Sequence, residues 1–130
     1  MAGRVVFFVQ RASFEAAFQA TTMGITAAAM GDEVYFVFAW DALRHLARGT
    51  FGVPETDRER IEQARADGLK LPPPTKMLEE ARAIGAKLVA CDSTVKVCGL
   101  DPPQLAGILD EVMGLPAIWR LTEGARVISL

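Results

Sequence analysis

The sequence predicts an α/β domain with a mainly parallel sheet of four or five strands, and three observations carry that prediction. Short, continuous apolar runs recur along the chain, as strands covered on both faces require. Between them lie segments with apolar residues at helical spacing, opened by capping residues and closed by glycine. The connections are short, and strand–helix–strand alternation of this kind builds one sheet through right-handed crossovers.

Val5 to Val9 is the first apolar run and reads as a strand. Ser13 then suits a helix N-cap, with Glu15 in the first turn where the helix dipole favours an acid. Phe14, Ala17, Phe18, Thr21, Ile25 and Ala28 recur at helical spacing, which predicts a helix over 14–30 stopped by Gly31. EVYFVFA, Glu33 to Ala39, is an aromatic and β-branched strand. Asp41 opens a short helix through Leu46, and Gly49 to Pro54 reads as a loop.

Glu55 to Gly68 is charged with few apolar anchors, and reads as a solvated helix or a mobile excursion. Pro72, Pro73 and Pro74 stop anything regular, after which Thr75 caps a helix from Lys76 to Ile84, ended by Gly85. Ala86 to Ala90 is the third strand, and a helix around Ser93 to Val97 follows Cys91. Pro102 and Pro103 begin a helix through about Leu109, and a short apolar segment lies near Val112. Pro116 starts a last helix through Thr122, and Ala125 to Leu130 closes the chain as a strand.

Composition bounds the function. A chain of 130 residues fits one domain over 1–130, long enough to bury a core. Hydrophobic content of 51% with 23% charge is that of a globular protein, with an apolar excess compatible with a subunit interface. A net charge of −2 gives no reason to expect nucleic acid or an anionic membrane as partner. No uncharged apolar run approaches the ~18 residues of a membrane span. The N-terminus continues into a strand rather than a signal peptide, so a cytoplasmic protein is expected.

In open parallel sheets, ligands and reactive groups gather beyond the carboxyl ends of the strands. That rule selects Gln10 and Arg11, Trp40 and Asp41, and Cys91 with Asp92 and Ser93. Cys91 is the residue that matters most. If the segment to Cys98 is helical, seven residues at ~1.5 Å rise separate the two Cα atoms by about 10 Å. That exceeds the ~7 Å reach of a disulfide. Two cysteines and one histidine, His45, fall short of the four ligands zinc needs, so no metal is expected; His45 reads as a surface or interface imidazole. Neither G-x-G-x-x-G nor G-x-x-x-x-G-K-[ST] occurs, so no motif stands behind a nucleotide cofactor, and none is expected.

A packed structural thiol and a reactive one both remain open. Buried cysteine behaves as a small apolar residue. A thiol just before a helix, however, meets unpaired N–H donors that favour thiolate, and Lys96 one turn on could add positive charge. Asp92 acts in the opposite direction. Cys98, between Val97 and Gly99, reads as the deeper, packing cysteine. A lone nucleophilic sulfur suffices for persulfide chemistry.

The ordered blocks resemble the DsrE/DsrF-like family of small sulfur-relay proteins, and its single-chain homo-oligomeric branch most closely. Carrying the resemblance are the opening strand with its alanine-rich helix, EVYFVFAWDALRHL (33–46), GAKLVACDSTVKVCGL (85–100), and the C-terminal helix and strand. It covers nearly the whole chain except the insert from Thr56 to Pro74, and Lys76 and Met77 also match family positions. The resemblance implies a three-layer, flavodoxin- or Rossmann-like α/β sandwich and a homo-oligomer, a trimer or larger. It places the sulfur-accepting cysteine at Cys91, which would carry a persulfide and pass it to a small sulfur-carrier protein. Trp40, Arg11, Ser93 and Lys96 are the expected pocket residues. Trp40 reads equally as a core or interface aromatic, Arg11 as a solvated charge, and Ser93 as a helix cap. The alternative from another class is a non-catalytic oligomeric scaffold or small-ligand binder; peroxide sensing through the same sulfur is a third.

Overall fold

The chain steps across its sheet in one direction and then turns back, and that path decides where every helix lies. The computed structural model describes residues 3–130. In chain order the elements are β1 (Arg4–Val9), α1 (Phe14–Ala29), β2 (Glu33–Phe38), α2 (Trp40–Arg48), α3 (Asp57–Gly68) and α4 (Pro74–Ala83). They continue with β3 (Lys87–Cys91), α5 (Asp92–Val97), α6 (Pro102–Leu105), β4 (Glu111–Met113), α7 (Leu115–Leu121) and β5 (Arg126–Ser129). The sheet order is β4–β3–β2–β1–β5, with every pairing parallel.

From β1 to β4 each crossover moves one strand the same way, and right-handedness keeps the connecting helices on one face. From β4 the chain must return past β1 to reach β5, so α7 is carried over the other face. The result is the expected helix–sheet–helix sandwich, with very unequal outer layers that the sequence did not announce.

On the thick face, Val5, Phe7 and Val9 of β1, Val34, Phe36 and Phe38 of β2, and Leu88 and Ala90 of β3 point into the main core. Ala17 and Ala20 of α1, Leu43 and Leu46 of α2, Leu78 and Ala81 of α4, and Val95 of α5 close it. Aromatic rings run through it: Phe7 stacks on Phe36 at 5.4 Å, and Phe38 meets Phe51 edge-on at 5.4 Å. Gly24 of α1 lies against the Phe36 ring, where any Cβ would overlap it. On the thin face the alternate residues Val6, Val37, Ala39, Val89 and Cys91 pack under Ile118 of α7.

Several boundaries differ from expectation, each for a local reason. Helix α4 starts at Pro74, not after Thr75, because proline at the first helical position needs no N–H donor. Helix α6 is a single turn rather than a helix to Leu109; Gly107 interrupts it, although Leu109 still donates to the Leu105 carbonyl. The segment near Val112 is β4, whose pairing with β3 sets its conformation. Ser13 does cap α1, its hydroxyl accepting from the Ala16 N–H. The charged stretch is helix α3, capped by Thr56. No helix among the described residues is long and apolar enough to cross a membrane.

Candidate functional site at the end of the third strand

Cys91 is both the last residue of β3 and the N-cap of α5. Its backbone is extended (φ −72°, ψ 120°), and no side chain caps the helix. The first-turn amides of Asp92, Ser93 and Thr94 therefore face the β3 terminus without a side-chain acceptor. Cys91 pairs in register with Met113 at the end of β4.

The two connections leaving these neighbouring strands diverge. After β3 the chain enters α5, whose Val95 joins the thick-face core; after β4 it enters α7, whose Ile118 joins the thin-face cluster. That divergence is a topological switch point, where open α/β sheets form a crevice at the strands' carboxyl ends. Cys91 stands at it.

Cys91 is buried, 8% exposed, in an apolar cluster with Val6, Val37, Ala39, Val89 and Ile118, against which Met113 packs. Cavities of about 260 to 400 Å³ open elsewhere on the described residues, and Cys91 lines none of these five. Both cysteines are free, and Cys98 is the less buried of the two. This corrects the expectation that Cys98 lies deeper: α5 ends at Val97, leaving Cys98 at its C-cap beside the turn at Gly99, whose φ is +65°.

The other expected site residues fall on the same edge with distinct fates. Ser93 is exposed at the second position of α5 and is not the cap; Cys91 holds that place because β3 runs directly into the helix. The Lys96 ammonium donates to the Asp92 carboxylate at 2.8 Å, an i,i+4 pair in which each charge offsets the other near the thiol. That hydrogen bond, with the attraction of the Asp92 charge, raises the Lys96 pKa above the ordinary lysine value. Arg11 is exposed in the β1–α1 connection.

Trp40 is the first residue of α2, 43% exposed, with φ at +50°. A bulky residue in left-handed backbone is strained, and such strain concentrates at functional edges. Its chain neighbour Ala39 belongs to the Cys91 cluster. His45 is more engaged than a plain surface imidazole: its Nδ1 lies 2.9 Å from the Thr50 hydroxyl. Among the described residues no group of three or more His, Cys, Asp or Glu is arranged to hold a metal ion.

Sequence reasoning passed over the outward side of α7. Leu115 and Trp119, one turn apart, are 58% and 75% exposed, and Val127 of β5 is half exposed on the same side of the sheet. Tyr35 stands on that face too, with Arg4 over its ring at 5.7 Å. Burial, then a hydrogen bond with Glu33, raises its phenol above the ordinary value.

Fold and site together define a small parallel-sheet α/β protein with one cysteine at its switch point. The DsrE/DsrF-like family model matches residues 4–130, and the chain belongs to that family. The family points to sulfur relay in general. A search of curated proteins finds none that matches. Among solved structures, a protein of unknown function from Methanobacterium thermoautotrophicum, MTH1491, shares the fold. Its TM-score is 0.65 at 19% identity, over 98% of this chain and 99% of that one.

Proposed function

We propose that the protein is a persulfide carrier in an intracellular sulfur relay, with Cys91 as the atom that is loaded and unloaded. The observation that supports this reading is the position of Cys91 at the switch point of the sheet, beside first-turn amides with no side-chain cap, in a chain of the DsrE/DsrF-like family. The Cys91 thiolate attacks the terminal sulfur of a donor persulfide. The donor's S–S bond breaks, the donor leaves as a thiolate, and Cys91 becomes a persulfide. A thiolate on a small carrier protein then attacks that outer sulfur and releases Cys91 as thiolate. Each step is an exchange between sulfur atoms, so no outside oxidant or reductant enters.

Trp40 would wall the approach to the sulfur, with Arg11 and Ser93 on the same rim and the Lys96–Asp92 pair bordering it. The reading also includes a homo-oligomer, a trimer or larger, assembled through the thin face. The exposed Leu115 and Trp119 support that, since a monomer in water gains nothing from displaying them.

The apolar shell of Cys91 favours a second reading, in which the fold is kept as a non-catalytic oligomeric scaffold and the thiol is packing. One experiment separates them. Incubated with a sulfane-sulfur donor, the wild type and Cys98→Ser should gain about 32 Da per sulfur, while Cys91→Ser should gain none. Equal loading of Cys91→Ser removes the assignment and leaves the scaffold.

A further inference from the structure

The chain between α2 and α4 is held to the body firmly at its base and sparsely along its length. At the base, Gly52 fits so closely against Ala17 and Pro74 that a Cβ on it would overlap both, which pins the entry and exit of the excursion together. Between those points α3 buries only Ala66; Ile61 and Leu69 remain exposed. Between it and Phe14 and Phe18 of α1 runs an open surface groove of about 370 Å³.

At the start of α3 a side-chain hydrogen bond joins this segment to α1, and nearer the base His45 Nε2 of α2 lies 3.9 Å from Glu55 Oε1. Glu59 sits in a capping box at the start of α3, its N–H donating to the Thr56 hydroxyl and its Oε1 accepting from that hydroxyl, both at 3.1 Å. Its other oxygen, Oε2, accepts from the Phe14 N–H at 2.8 Å, the first helical amide of α1. A single carboxylate thus satisfies donors at the starts of two helices. The Phe14 N–H bond is the main cause that holds the Glu59 carboxyl below the usual carboxylate range.

We propose that α3 is a strap that swings off α1 as a unit while the sheet stays folded, with the Glu59–Phe14 hydrogen bond as its latch. The pinned base lets residues 53–72 move without disturbing the core, since Pro73 is held as the N-cap of α4, its carbonyl accepting from the Met77 N–H. The turn at Lys70, which stands at φ +61°, and Pro72–Pro73 give the exit its direction. Opening uncovers Phe14 and Phe18 on the first turns of α1, the helix that leaves β1 at the same sheet edge as Arg11. The device stands apart from the sulfur chemistry and does not depend on it.

Limited trypsin digestion tests it, because Arg58, Arg60, Arg65 and Lys70 all lie on the strap. In Glu59→Ala, which removes a charge-assisted hydrogen bond, cleavage at these four sites should rise about tenfold, while sites in α4, α5 and α7 keep their wild-type rates. Thr56→Ala removes the cap but leaves the latch, and should accelerate cleavage less than Glu59→Ala. In native-state hydrogen exchange of the wild type, the α3 amides should open well before those of β1 and β2. The proposal is overturned if Glu59→Ala is cut no faster on the strap, if all sites accelerate together, or if α3 exchanges only with global unfolding.

Discussion

The two faces of the sheet are built to different standards. The thick face is closed by α1, α2, α4 and α5 over a continuous core with stacked phenylalanines. On the thin face the cover is one seven-residue helix, α7, over a small cluster that includes Cys91, and that helix turns Leu115 and Trp119 outward. A face that carries stability must be packed shut. On the proposed function, the thin face must instead be approachable by another molecule. The strand order produces the asymmetry, since only the returning crossover places a helix on the thin side.

The sharpest way to break the comparison is to truncate one large side chain in each cluster. Phe36→Ala on the thick face should lower stability by about 3–5 kcal/mol, read as a urea midpoint shift, because Phe36 stacks on Phe7 and meets Gly24. Ile118→Ala on the thin face should cost about 2 kcal/mol, since its partly exposed neighbours can settle into the space. Equal losses would mean that the faces are not different in kind.

A smaller effect concerns the polar clamp at the rim of the thick side. Asp110 accepts from the Leu88 N–H at 2.8 Å and from Arg82 at 2.9 Å, tying α4 to β3 and β4. Burial pushes the Asp110 carboxyl up, but the Leu88 hydrogen bond and the Arg82 guanidinium outweigh it, so the group lies below its ordinary value. Its contribution is therefore present above the unfolded value of about 3.9 and is lost as pH falls through the lower folded value. Asp110→Asn should cost about 1–2 kcal/mol at neutral pH, and the gap from wild type should close in acid. Urea midpoints from pH 7 down to pH 2 check it; a gap that persists at the acid end would refute the clamp.

The smallest effect on folding belongs to the outward side of α7. Leu115→Ser with Trp119→Ser should change monomer stability by less than about 1 kcal/mol. Sedimentation or light scattering should nonetheless show a smaller assembly than the wild type. Unchanged mass would separate these two residues from any subunit interface.

Much of this was legible in the sequence because it rests on local rules. Continuous apolar runs marked four of the five strands, and Ser13 with Glu15 marked the start of α1. The position of Cys91 followed from a strand ending where a helix begins. What escaped depended on pairing between distant segments. Three residues of β4 carry no period, so neither that strand nor its register with Cys91 could be read. Without the strand order, the switch point at Met113 and the thinness of one face were invisible too. The latch between Glu59 and Phe14 joins residues far apart in the chain, and no spacing announces it. Cys98 was misplaced in depth because the end of α5 turns on the conformation at Gly99.

The central claim is that position, rather than exposure, makes Cys91 the reactive thiol. Competitive alkylation of the folded protein with limiting iodoacetamide, read by peptide mass, sets the buried Cys91 against the more accessible Cys98. The account predicts that Cys91 is labelled first. Labelling of Cys98 alone, with Cys91 silent until denaturant is added, would contradict it.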